Sequence, residues 1–176
     1  MTLLRTVTDH LARLGVPCAL TGAAALAVHG LSRSTLDVDL LTTATSILSD
    51  DVWTPIAQMG PRVDVRQGDS DDPLAGIVRV SATAERPVDV VVARQRWQAD
   101  AIARAGAARY LDTDIRAVTA ADLVLLKLYA GGTQDRSDVR LLLETLPALR
   151  GQVDRAIAAM PPDMRGRWTD WRTGPA

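Results

Sequence analysis

Asp37 and Asp39 flank Val38 in the run Leu36-Asp37-Val38-Asp39-Leu40-Leu41, which alternates with the period of a strand. That spacing turns both carboxylates to one face while Val38 and Leu40 turn toward a core. Aspartate is depleted in strands, and neighbouring carboxylates repel unless a cation lies between them or one takes up a proton. A divalent metal resolves the conflict; so does an exposed strand face that leaves both aspartates in water. Asp89 shifts the balance toward metal, because it opens the apolar run Val88-Asp89-Val90-Val91-Val92-Ala93, where a carboxylate needs a reason. Three carboxylates from two strands suit a pair of magnesium ions about 3.5–4 Å apart, clamping the attacking and leaving oxygens of phosphoryl transfer.

Two further segments could serve the same chemistry. Thr21-Gly22-Ala23 joins a short apolar run to a helix start, where free backbone N–H groups hold phosphate and a glycine lets the backbone come close; a tight structural turn is the alternative. Lys127 is the single lysine among 20 basic residues, and its neighbours three and four positions away are Leu123, Val124, Ala130 and Gly131. A compact ammonium on so apolar a helix suits a confined place beside a phosphate or a carboxylate, or snorkels to the surface. Asp135 and Asp138, one turn apart, either cap the next helix and complement its dipole or take part in function.

The elements that must position these residues can be read along the chain. Leu3, Leu4, Val7, Leu11 and Leu14 predict an amphipathic helix over 2–14, stopped by Gly15 and Pro17. A short buried strand at 18–21 and a helix over 22–29 follow, with Gly30 as the stop. After the strand that carries Asp37 and Asp39 come a helix over 46–59 and strands at 61–66, 77–82 and 88–93, with 68–76 as a hairpin loop. Helices are expected at 95–106, 120–130, 134–146 and 148–160, with one strand at 109–118. The class is therefore α+β: a mixed sheet over about 1–118, a helical part over 119–160 and a loose tail over 161–176 carrying Trp168 and Trp171. Cys18 reads as a buried structural thiol, His29 as a helix-terminal packing residue, and Trp53 and Trp97 as packing anchors.

At 176 residues, 47% hydrophobic and 23% charged, the chain has the make-up of one folded soluble domain. A net charge of -1 excludes a broad basic field for nucleic acid or anionic membrane. No signal-length or membrane-length apolar stretch occurs, so a cytoplasmic, membrane-free location is expected.

Taken together, Gly22-Ala23, the run His29 to Leu40, Asp89 and the run Lys127 to Asp138 resemble the polymerase-beta-like nucleotidyltransferase superfamily, particularly its AbiEii-like toxin branch. The resemblance spans about residues 18–143. It implies a minimal nucleotidyltransferase fold in which Asp37 and Asp39 bind two magnesium ions and Asp89 completes the metal site, acting as base toward a hydroxyl. It also implies that Gly22 contacts a nucleoside triphosphate, that Arg33 lies beside the site and that Lys127 with Asp135 completes the pocket, with Lys127 counted among the catalytic residues and Thr21 and Ala23, from the turn itself, among the nucleotide-binding ones. Ala23 departs from the pattern, which has Gly-Ser or Gly-Gly there, and removes a hydroxyl that could bond a phosphate. The resemblance further implies an RNA acceptor such as a transfer RNA 3′ end and a separate antitoxin. The short helical part makes a partner chain or a homodimer the expected source of missing surface. A small-molecule acceptor of aminoglycoside type and a catalytically idle interaction module stand as the competing expectations.

Overall fold

Apolar periodicity becomes a chain of sixteen elements in the structure, a computed structural model that describes residues 2–31 and 34–173. In order they are α1 (Leu3–Arg13), β1 (Ala19–Leu20), α2 (Gly22–Val28), β2 (Val38–Thr42), one turn of 3-10 helix (Thr45–Leu48), α3 (Asp50–Gln58), β3 (Arg62–Gln67), β4 (Leu74–Ser81), β5 (Val88–Ala93), α4 (Arg96–Arg104), β6 (Gly106–Tyr110), β7 (Thr113–Ala117), α5 (Ala120–Ala130), α6 (Thr133–Thr145), α7 (Leu149–Ile157) and α8 (Pro162–Thr173). They fall into two compact units, Met1–Val118 and Thr119–Ala176.

The first unit is built on a seven-stranded sheet in the order β3-β4-β5-β2-β1-β7-β6. β2 runs parallel to β5 and β1 parallel to β7, while the remaining pairs are antiparallel, so the sheet is mixed as expected. Alternation decides its two faces. Val38 and Leu40 of β2, Val78 and Val80 of β4, and Val88, Val90 and Val92 of β5 are buried in one cluster with Leu3, Leu4, Val7 and Leu11 of α1 and Trp53 and Ile56 of α3. Asp39, Arg79 and Asp89, at the intervening positions, are not part of that core. The second unit has its own interior, in which Leu123, Val124, Leu125 and Leu128 of α5 are buried, as are Val139 and Leu142 of α6 and Val153 of α7.

Four expectations are corrected. The single strand at 109–118 is a hairpin, β6 paired with β7, turned by Leu111 and Asp112 with φ of 45° and 57°. Two consecutive left-handed residues make the turn that tight hairpins favour, but without a glycine it leaves no sequence signal. The helix expected at 46–59 breaks at Ser49, whose extended backbone separates the 3-10 turn from α3 and lets Asp50 and Asp51 face the α3 N-terminus. β4 starts at Leu74 rather than residue 77, which shortens the loop before it. Finally, the segment after Pro161 is no loose extension: α8 buries Met164, Trp168 and Trp171. Trp168 Nε1 donates to Asp154 Oδ1 at 2.8 Å, and Arg167 Nη1 donates to the Leu128 carbonyl at 2.6 Å, so α8 closes the C-terminal end of α5.

His29 caps α2 and its Nε2 donates to the Val118 carbonyl at 2.9 Å, a packing role. The half-buried Cys18 thiol is pushed up to about 11 by desolvation, which leaves it protonated and unreactive at neutral pH. Among the described residues, no helix is long and apolar enough to cross a membrane.

Candidate functional site

The parallel pairing of β2 with β5 places Asp39 opposite Asp89. Asp37 stands immediately before β2, one strand period from Asp39, beside Thr35, whose Oγ1 lies 2.9 Å from the Asp37 carbonyl oxygen and 3.1 Å from its Oδ1. The three carboxylates named from the sequence are therefore neighbours on the sheet face opposite the α1–α3 core.

Gly22 supports this group in a way that spacing alone could not reveal. It opens α2 with φ +60°, and a Cβ built on it would lie 2.1 Å from Asp39 Oδ2. The close approach expected toward a phosphate is, in the structure, an approach to the Asp39 carboxylate. Thr21 N–H donates to the Asp39 carbonyl at 2.9 Å, tying the start of α2 to β2, while the Thr21 side chain makes no capping hydrogen bond. Ala23 is buried in α2.

Across the sheet, the register continues the row of charges. Asp89 pairs with Arg79 on β4, and Arg79 pairs with Asp64 on β3. Arg79 Nε donates to Asp89 Oδ1 at 2.8 Å, while its Nη2 donates to Asp89 Oδ2 at 2.8 Å and to Asp37 Oδ2 at 2.9 Å. Hydrogen bonding to Asp89, with its charge and that of Asp37, raises the Arg79 pKa further above its ordinary value. Beyond it, Arg66 pairs with Asp64 at 2.7 Å, and Asp64, Arg66, Ile77, Arg79 and Asp89 line a cleft. Arg79 is the functional candidate that sequence reasoning missed. Its signal was there, a lone charge at an alternate position between Val78 and Val80, but the partners are set by strand pairing rather than by sequence distance.

As donors, three carboxylates on neighbouring strands fit a hard divalent cation. As placed, however, both oxygens of Asp89 and one of Asp37 are engaged by Arg79. Among the described residues no three carboxylate, histidine or cysteine side chains converge closely enough to share one ion.

In the second unit, Lys127 is buried on α5, and its Nζ donates to Asp138 Oδ2 at 2.5 Å and to Asp135 Oδ1 at 3.1 Å, both on α6. Asp135 also accepts from the Gly132 N–H at 3.1 Å and so caps α6, while Gln134 Nε2 donates to Asp138 at 3.2 Å. The confined place predicted for the lysine is beside carboxylates. Arg33 lies outside the described residues.

Comparison with solved structures shows that this architecture is the nucleotidyltransferase fold. ANT(2″)-Ia, solved in complex with adenylyl-2″-tobramycin, superposes with a TM-score of 0.59 at 16% identity, over 94% of this chain and 97% of that one. An antigenic nucleotidyltransferase-like protein from Paracoccidioides brasiliensis gives a TM-score of 0.55 at 14% identity, over 95% of this chain and 90% of its own. The lincosamide antibiotic adenylyltransferase LnuA, lincomycin-bound, gives 0.50 at 13% identity, over 79% and 93%. No protein-family model matches the sequence, and no curated protein matches it.

Proposed function

We propose that the chain is a metal-dependent nucleotidyltransferase that moves a nucleoside monophosphate from a nucleoside triphosphate to an acceptor hydroxyl. The observation that carries this reading is the register of the β2–β5 pair, which sets Asp39 opposite Asp89 with Asp37 one strand period upstream. A Gly22 that has no room for a side chain beside Asp39 supports it.

In this reading Asp37 and Asp39 hold two magnesium ions, and Asp89 completes the set. The bound ions supply charge neutralisation at the reacting phosphate. Asp89 takes the proton of the acceptor hydroxyl as its oxygen bonds the α-phosphorus and the bond to pyrophosphate breaks. Gly22 and Ala23 offer backbone N–H donors to the nucleotide, and Thr21, whose N–H is held by the Asp39 carbonyl, offers its hydroxyl. Arg33, Lys127 and Asp135 enter through the sequence resemblance; for Lys127 and Asp135 a nucleotide role has to coexist with their ion pair.

Two acceptor classes rest on different observations. The likeness to ANT(2″)-Ia and LnuA along most of the chain favours a small hydroxylated antibiotic. The likeness of the motifs to the AbiEii-like branch favours an RNA 3′ end, with an antitoxin protein as partner.

The test is calorimetric titration of the four ribonucleoside triphosphates, with and without magnesium, into the parent and Asp37→Asn/Asp39→Asn. Magnesium-dependent binding that the double variant loses is expected. Radiolabelled transfer from the nucleotide so identified to aminoglycosides, lincosamides and transfer RNA then names the acceptor. Failure of every triphosphate to bind would leave an idle fold serving as an interaction module.

A further inference from the structure

The carboxylate cluster already contains a cation, and it belongs to the chain. Arg79 stands in register with Asp89, grips both oxygens of that side chain and reaches one oxygen of Asp37. Its place is set by the sheet: Val78 and Val80 on either side are fully buried, which fixes the strand and aims residue 79 at the carboxylate face. The Asp89 side chain is only 15% exposed, whereas that of Arg79 is 45% exposed. The carboxylate is thus the more deeply seated of the two, and the guanidinium is the exposed partner, which can leave without disturbing the core.

Two consequences follow for a divalent cation. Both oxygens of Asp89 and one of Asp37 are bonded to Arg79, so a cation that draws on all three carboxylates has to displace the guanidinium. A displaced guanidinium is a planar, permanently charged fork whose donors match the oxygens of a phosphate as well as those of a carboxylate. Magnesium alone offers Arg79 no new partner, whereas magnesium with a nucleoside triphosphate does.

We propose that Arg79 is a counter-ion switch: it closes the Asp37–Asp89 cluster in the absence of nucleotide and transfers to a phosphate of the incoming triphosphate when the metal takes its place. This rests on the metal-binding reading of the same carboxylates. Arg79 then couples metal to nucleotide, opposing the ion on its own and favouring the pair, so that each tightens the binding of the other.

The test is calorimetry on the full chain with two probes, magnesium alone and magnesium with the nucleoside triphosphate, for the parent, Arg79→Met and Arg79→Lys. Removing a closed state that dominates the metal-free population tightens intrinsic binding in proportion to that population. Arg79→Met is expected to bind magnesium alone about tenfold more tightly than the parent and the magnesium–nucleotide pair about tenfold more weakly. Arg79→Lys keeps the charge but loses the fork, and falls between the two on both probes. Opposite signs on the two probes are the signature, because a merely structural residue would move both in one direction. Equal magnesium affinity in parent and Arg79→Met, with the pair still bound, overturns the switch and leaves the nucleotidyltransferase reading standing. Absence of magnesium and nucleotide binding in all three proteins, each melting cooperatively, overturns the switch together with that reading.

Discussion

A single missing atom matters at Gly22. Alanine there would place a Cβ 2.1 Å from Asp39 Oδ2 in a backbone with φ +60°, which L-residues adopt at a cost of roughly 1–2 kcal/mol. The methyl group meets the Asp39 side chain at Cγ and Cβ as well as at Oδ2, so the carboxylate has to move to admit it. Gly22→Ala is therefore expected to lower stability by about 1–2 kcal/mol and to abolish magnesium-dependent nucleotide binding, checked by denaturant titration and calorimetry. Loss of stability with binding intact would disprove the link between Gly22 and the carboxylate site. That Asp37, Asp39 and Asp89 share a sheet face was legible in the sequence, because alternation fixes the face of a side chain. Arg79 was not, because its pairing with Asp89 depends on which strands lie side by side.

Between elements, buried polar ties do what apolar stripes do elsewhere, and they carry clearer predictions. Lys127 on α5 and Asp138 on α6 are both nearly inaccessible and bonded at 2.5 Å. Removing one partner leaves the other charge buried and uncompensated, which costs about 3–5 kcal/mol. Lys127→Met is expected to lose about that much, and Lys127→Met/Asp138→Leu to recover most of it, as read from denaturant midpoints. A loss under 1 kcal/mol, on the order of an exposed pair, would mean that the tie contributes no more than surface charges do. A second tie joins α1 to α3: His10 Nε2 donates to the Val52 carbonyl at 2.9 Å, and its ring lies 5.3 Å from that of Trp53. Burial lowers the His10 pKa from its ordinary 6.5, Arg13 adds to this, and the Val52 bond opposes it. Below pH 6.5 the unfolded chain takes up a proton that the folded one refuses, so stability falls with pH from 6.5 downward until the depressed value is passed. Between about pH 7.5 and about pH 5.5 the parent should lose more stability than His10→Gln; an equal loss in both would exclude His10 as the cause. Element positions were legible wherever apolar periodicity ran long, as in α1, α5 and β5. They were lost where a local device interrupts the period without a glycine or proline, at the Leu111-Asp112 turn and the extended Ser49, and where Pro73 and Gly76 read as loop although β4 already begins at Leu74.

Across the whole chain, the division after Val118 falls where β-type runs give way to helical ones, and each unit buries its own core. What no local pattern could show was α8, because Trp168 and Trp171 in a stretch with Pro161, Pro162 and Pro175 look like an extension until Trp168 meets Asp154 and Arg167 meets the α5 carbonyls. Global charge makes the last prediction. With a net charge of -1 and its arginines largely matched by acids, the chain has little excess positive field to neutralise a polyanion. An RNA acceptor gripped through several phosphates releases counterions, and its affinity falls with salt by a logarithmic slope of about 0.7 per contact on a single strand. A small acceptor held by hydrogen bonds and one or two ion pairs shows no such slope. If the proposed transfer goes to a small acceptor, KM for it is expected to change by less than about threefold between about 50 and 200 mM monovalent salt, at saturating magnesium and nucleotide. A rise in KM of about a hundredfold or more over that range would instead require a local arginine footprint on several phosphates, and would favour RNA over a small hydroxylated molecule as the acceptor.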